Sequence, residues 1–163
     1  MFNFLKKEKN TVKTLTAPVD GKVIDLSEVD DPVFAQKMMG EGIAIIPEGN
    51  IVAAPADVTI VLIPETRHAF GMKLADGLEL LVHIGLDTVN LGGEGFSALV
   101  DVNTEVKAGD PIIKVDTDFV KSKGISLTTP MIIMNHNDYE LTAFHTGGQA
   151  KMGETVLIEY TSK

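Results

Sequence analysis

Apolar residues fall along this chain in short blocks, not on a helical period. Residues 22–26, 43–46, 58–63, 78–84, 112–115, 131–134 and 155–160 are each rich in Val, Ile, Leu or Thr, and turn residues bound them. Blocks of that length between turn formers predict strands. Only residues 31–39 and 117–123 have room for a helical turn or two. Many short strands with frequent turns predict an all-β fold, an antiparallel β-sandwich. Two internal echoes refine this. Ala17-Pro18-Val19-Asp20 recurs as Ala54-Pro55-Ala56-Asp57, and Val106-Lys107-Ala108-Gly109-Asp110 resembles Ala150-Lys151-Met152-Gly153-Glu154. Echoes so few and so unevenly spaced predict a jelly-roll-like body with duplicated β units, not a solenoid. No linker composition interrupts residues 15–163, which read as one domain behind a flexible basic tail, residues 1–14.

Composition narrows the chemistry. The 163 residues carry 14 Lys and Arg against 23 Asp and Glu, a net charge of −9. That balance argues against nucleic-acid binding, which needs clustered positive charge. With no cysteine, thiol nucleophiles, disulfides and Cys-ligated metals are excluded, and the usage suits a reducing cytoplasm. No apolar run approaches the roughly 20 residues that span a bilayer. The Phe-containing basic tip at most touches an anionic membrane surface.

Four histidines are present: His68, His83, His136 and His145. Two of them flank a predicted hairpin, with strands at 70–74 and 78–82 and Ala75-Asp76-Gly77 at the turn. A two-residue Asp-Gly turn would pair Ala75 with Leu78, Phe70 with His83 and His68 with Gly85. His68 and His83 then lie diagonally on one face, with Cβ atoms about 7–8 Å apart. A slip of one residue would separate them. Two imidazoles on one face can bind a metal, shuttle protons or carry a phosphoryl group. His136, in a turn, and His145, before a Gly pair, read as surface residues.

The segment Gly77-Leu-Glu-Leu-Leu-Val-His83-Ile-Gly85-Leu-Asp87-Thr88-Val89 resembles the phosphohistidine signature of the glucose-type enzyme IIA domain of the bacterial phosphoenolpyruvate-dependent sugar phosphotransferase system. Ala17-Pro-Val-Asp-Gly-Lys-Val, the run from Asp31 to Ile45, Glu65-Thr-Arg-His-Ala-Phe and Gly93-Glu-Gly-Phe are similar to that family in the same order. The resemblance covers nearly all of the chain from about Leu15. It implies a phosphocarrier with an antiparallel β-sandwich fold and a shallow apolar depression. His83 would accept a phosphoryl group from the carrier HPr and pass it to a cysteine of a sugar-specific IIB domain. His68 matches the family's second active-site histidine, Thr66 the hydroxyl residue beside it, and Gly85 the residue whose carbonyl holds the catalytic ring. Val33, Phe34, Met38, Met39 and Val89 look like an apolar partner-binding rim, and Asp31 and Asp87 like acidic residues that meet basic partners.

No cofactor is required by such transfer. A zinc ion could sit on His68 and His83 only if a partner supplied a third ligand at the interface. Regulatory binding to metabolic enzymes or permeases is a compatible second role, or a purely regulatory protein an alternative one. A lipoyl- or biotinyl-type carrier is a further alternative, resting on Met72-Lys73-Leu74 near the hairpin tip. A lysostaphin-type zinc peptidase lacks its His-x-His partner here. P-loop, Rossmann and nucleophile-elbow motifs are missing, so the phosphoryl source would be a protein rather than ATP.

Overall fold

The structure, a computed structural model, describes residues 11–163. The expected tail therefore lies mostly outside the described residues. Its last positions do not: Lys13 and Thr14 open strand β1 (Lys13–Thr16), paired with the final strand β14 (Val156–Ser162).

Among the described residues every strand pair is antiparallel, and the strands form three sheets. The largest contains β2 (Gly21–Asp25), β3 (Glu41–Pro47), β5 (Val58–Leu62), β6 (Ala69–Lys73), β7 (Glu79–His83), β9 (Glu105–Val106), β11 (Thr129–Ile133) and β13 (Gln149–Ala150). Its order is β13-β2-β3-β11-β7-β6-β5-β9. The three-stranded sheets are β1-β14-β12, with β12 at Tyr139–Phe144, and β4-β10-β8, with β4 at Ile51–Ala53, β8 at Phe96–Ala98 and β10 at Pro111–Val115. Each of the seven predicted apolar blocks coincides with a strand, with ends that differ by no more than one residue where a block overruns its strand. The β-sandwich expected from them is the architecture observed. Among the described residues the α-helices are α1 (Pro32–Ala35) and α2 (Thr117–Ser122), both inside the segments where a helical turn was expected.

The large sheet is covered on both faces. Val23, Ile43, Ile45, Phe70, Met72, Leu80, Val82, Met131 and Ile133 point into the main core, which the two smaller sheets complete with Leu15, Val52, Ile112, Leu157 and Tyr160. Their alternate neighbours Ile24, Ala44, Ala69, Leu81 and Ile132 form a second cluster, roofed by Leu26, Val29, Phe34 and Leu86. A strand covered on both sides must be apolar at successive positions, which is why these blocks appear as runs and not as alternation. The candidate site lies over the second cluster.

The echoes are real in space. Thr16 N–H donates to Pro55 O at 2.8 Å, and Ala53 N–H donates back to Pro18 O at 2.7 Å. Gly153 N–H bonds Ala17 O as Gly109 N–H bonds Ala54 O. Asp20 accepts from Met152 N–H, and Asp57 from Ala108 N–H. Two copies of one turn thus clasp each other about an approximate two-fold.

The β6–β7 hairpin is tied down at its tip. Asp76 Oδ2 accepts from Lys13 Nζ and from Tyr160 OH, each at 2.9 Å, and Tyr139 OH donates to the Asp76 carbonyl at 2.7 Å. The tip thereby joins the large sheet to the β1-β14-β12 sheet, and the far end of the same hairpin carries the histidines.

Candidate functional site

The hairpin register differs from the expected one. Ala69 pairs with His83, Phe70 with Val82 and Lys73 with Glu79. The loop has three residues, Ala75-Asp76-Gly77, closed by Leu74 N–H to Leu78 O and Gly77 N–H to Leu74 O, both 3.0 Å. Gly77 takes φ +92°, the left-handed residue that a three-residue hairpin loop places last. Asp-Gly therefore ends a longer loop and is not a two-residue turn.

That one-residue shift puts His83 on the face of Leu81 and Ala69, above the second cluster, and would send an in-strand His68 to the opposite face. His68 escapes because β6 begins only at Ala69. The preceding turn contains Arg67 at φ +51°, and this reversal brings the His68 ring back over His83. The ring centroids lie 4.9 Å apart with planes at 78°. The expected juxtaposition is present, but a turn makes it and not strand alternation. Thr66 likewise reaches His68 from the turn and not from a shared strand face: Thr66 Oγ1 lies 2.6 Å from His68 Nδ1.

The His83 ring is held on one side by the backbone. Its Nδ1 is 2.8 Å from Gly85 O. A carbonyl only accepts, so Nδ1 carries the proton and Nε2 presents a free lone pair. Gly85 turns its carbonyl there with φ +83°, and a Cβ at that position would meet Thr88 Cγ2 at 2.5 Å and Ser126 O at 2.7 Å. The buried Thr88 locks the same corner by donating its hydroxyl to Ile84 O at 2.6 Å. Phe34, from α1, packs its ring 5.0 Å from the His83 centroid. It is 4% exposed and walls the His83 ring, so the apolar rim presents its other residues to solvent and Phe34 from beneath. Val33, Met39 and Val89 are exposed, and Met38 is 69% exposed.

Burial shifts both imidazoles towards the neutral form. Burial pushes the His83 pKa down, and it outweighs the upward pull of the Gly85 bond, Asp31 and Asp87. Burial also lowers His68, helped by the neighbouring His83. Asp31 caps α1 by accepting from Val33 N–H at 3.0 Å, and Asp87 sits at φ +65° before a 3-10 turn, Thr88–Leu91. Both acidic residues thus act on His83 through space.

Two residues escaped the sequence reading. Thr88 stands inside the signature but gives no separate signal. Arg67 is invisible because nothing in a sequence marks an arginine for left-handed backbone. Lys73, the basis of the lipoyl alternative, is paired within β6 and does not crown the turn. Among the described residues no three His, Asp or Glu side chains gather into a group that could hold a metal ion, and no helix is long and apolar enough to cross a membrane.

Residues 13–139 match the family model described as phosphoenolpyruvate-dependent sugar phosphotransferase system, EIIA 1. The chain is 47% identical over 143 residues to the glucose-specific EIIBCA component of the system in Corynebacterium glutamicum, covering 88% of this chain and 21% of that protein. It spans about a fifth of the length of such multidomain relatives. It is 41% identical over 155 residues to the glucose-specific EIIA component of Bacillus cereus, covering 95% of this chain and 94% of that one. The solved glucose permease IIA of Mycoplasma capricolum superposes with a TM-score of 0.86 at 40% identity, covering 92% of this chain and 96% of that one. With a family model matched over most of its length and near full-length relatives above 30% identity, the chain belongs to the glucose-type enzyme IIA family of the sugar phosphotransferase system.

Proposed function

We propose that this chain is a phosphocarrier of sugar uptake, with His83 Nε2 as the atom that carries the phosphoryl group. The observation that carries this reading is the Nδ1–H bond from His83 to Gly85 O, which leaves Nε2 unprotonated and aimed. Nε2 attacks the phosphorus of a phosphohistidine on HPr. The new N–P bond forms as the donor's N–P bond breaks, and the donor imidazole leaves with its electron pair. The transferring group is loose and metaphosphate-like, so positioning and charge stabilisation do most of the work.

Thr66 donates its hydroxyl to His68 Nδ1 in this scheme, which places the His68 proton on Nε2. From there His68 donates to a phosphoryl oxygen. The half-buried setting over the second cluster limits attack by water. In the forward direction the group passes to a cysteine of a IIB domain. Relatives that carry EIIB and EIIC segments in the same chain support such an acceptor. Val33, Met38, Met39 and Val89 supply the apolar contact for both partners, and Asp31 and Asp87 meet their basic residues. No step calls for a metal. Zinc could join His68 and His83 where a partner adds a third ligand, and regulatory binding to metabolic enzymes is compatible with the same face.

Incubation with phosphoenolpyruvate, enzyme I and HPr, followed by intact mass, tests the reading. The wild type is expected to gain one acid-labile phosphoryl group and His83→Ala none. His68→Gln is expected to accept the group but deliver it to IIB at least tenfold more slowly, the order of effect of losing one charge-stabilising donor. A His83→Ala protein that is still phosphorylated, or a His68→Gln protein that donates at the wild-type rate, contradicts the assigned roles.

A further inference from the structure

The left-handed conformation at Arg67 belongs by rights to Gly, Asn or Asp, whose backbones visit it with least crowding. Here it holds a long cationic side chain instead. The guanidinium is spent on two backbone carbonyls of a remote loop: Nε donates to Phe96 O at 3.0 Å and Nη2 to Gly93 O at 3.2 Å. Its own N–H closes the turn onto Pro64 O at 2.9 Å. No ion pair to Arg67 is found among the described residues within 4.0 Å. The loop it grips runs on from the 3-10 turn that follows Gly85 and Asp87. Arg67 thus spans the two segments that separately carry the His68 and His83 supports, and it stands between Thr66 and His68.

We propose that Arg67 is a positioning residue for phosphoryl transfer: its forked grip on Gly93 O and Phe96 O holds the 66–68 turn reversed, and so sets His68 against both Thr66 and His83. The fork matters because two acceptors on separate residues must be spanned by one rigid donor plane, which lysine cannot do. The part of this inference that concerns transfer rests on the phosphocarrier reading. The part that concerns the placement of His68 does not.

The full-length Arg67→Gly and Arg67→Lys proteins test it. Glycine accepts the positive φ without strain, so this variant separates the backbone demand from the guanidinium demand. Imidazole ¹⁵N spectra are recorded alongside thermal melts and transfer kinetics with phospho-HPr. Arg67→Gly is expected to keep the wild-type melting temperature within a few degrees. Its His68 Nδ1 signal should move towards that of a free imidazole while the His83 Nδ1 signal stays. Turnover should fall about tenfold with KM within about twofold, the signature of lost positioning and not of lost docking. Arg67→Lys, which keeps the charge without the fork, should resemble the glycine variant. Wild-type His68 signals in either folded variant overturn the proposal, as does a fall in melting temperature with unmoved signals and turnover. If the wild type takes no phosphoryl group at all, the phosphocarrier reading fails, and the ¹⁵N comparison still decides whether Arg67 places His68.

Discussion

A histidine becomes a phosphoryl carrier only if one nitrogen is free and aimed, and at His83 a single backbone carbonyl secures both conditions. Gly85 provides that carbonyl because it alone can turn at φ +83° with Thr88 and Ser126 so close. Gly85→Ala is therefore expected to cost about 1–3 kcal/mol from the forced backbone conformation, with the clash on Thr88 and Ser126 adding to it. The phosphorylation rate should fall with it, because the carbonyl must swing away from Nδ1. Urea unfolding and the transfer assay on one preparation measure both. A variant as stable and as fast as the wild type would mean that the carbonyl does not orient the ring.

Short elements convert these residue-level facts into a site. Helix α1 is barely one turn long, yet it brings Phe34 against His83 and begins with Asp31 as its cap. Asparagine caps as well as aspartate, so Asp31→Asn should leave the helix in place while removing a negative charge that favours protonated His83. The expected result is a His83 titration midpoint lower than in the wild type, read by proton NMR. An unchanged or raised midpoint would show that Asp31 does not act on the ring.

The element scale is also where the sequence was legible and where it was not. Blocks such as 78–84 and 131–134 are apolar at successive positions because both faces of the sheet are covered, so they stood out as strands. Lys13–Thr16, Phe96–Ala98 and Tyr139–Phe144 did not stand out, because polar residues interrupt them and pairing with neighbours defines them. The histidine pair was anticipated, but through a hairpin register that is off by one. Asp-Gly fits both a two-residue turn and the end of a three-residue loop, and only the bonds across the loop decide. The reversal at Arg67 then restored the pairing that the shift would have destroyed. Backbone φ at a non-glycine residue leaves no trace in composition or periodicity.

At the scale of the whole molecule, the two lowered histidines link function to stability. Their unfolded pKa values are about 6.5, and burial holds both below that in the folded chain. Below pH 6.5 the unfolded chain binds more protons than the folded one, so acid favours unfolding. The stability tied to neutral His68 and His83 is thus complete above about pH 6.5 and is lost as pH falls through their folded values. Urea titrations at pH 7.5 and pH 5 should show a drop for the wild type and a smaller one for the His68→Gln, His83→Gln double variant. Equal drops would mean that the pair is not held neutral by the fold. Asp76 adds a separate, more acidic limit. Burial opposes its charge, but the bonds from Lys13, Leu78 N–H and Tyr160 together hold its pKa below the usual carboxylate range. The stability it contributes is present above about pH 4 and lost below it, when the hairpin tip lets go of the β1-β14-β12 sheet.

The claim on which the rest depends is that the fold offers Nε2 of His83, and no other atom, to phosphorus. The direct measurement is ³¹P and ¹⁵N NMR of the ¹⁵N-histidine-labelled protein, phosphorylated from phosphoenolpyruvate through enzyme I and HPr. One phosphohistidine signal is expected, with phosphorus coupled to His83 Nε2 and with Nδ1 still protonated on Gly85 O. A phosphoryl group on Nδ1 of His83, or on either nitrogen of His68, would contradict the account.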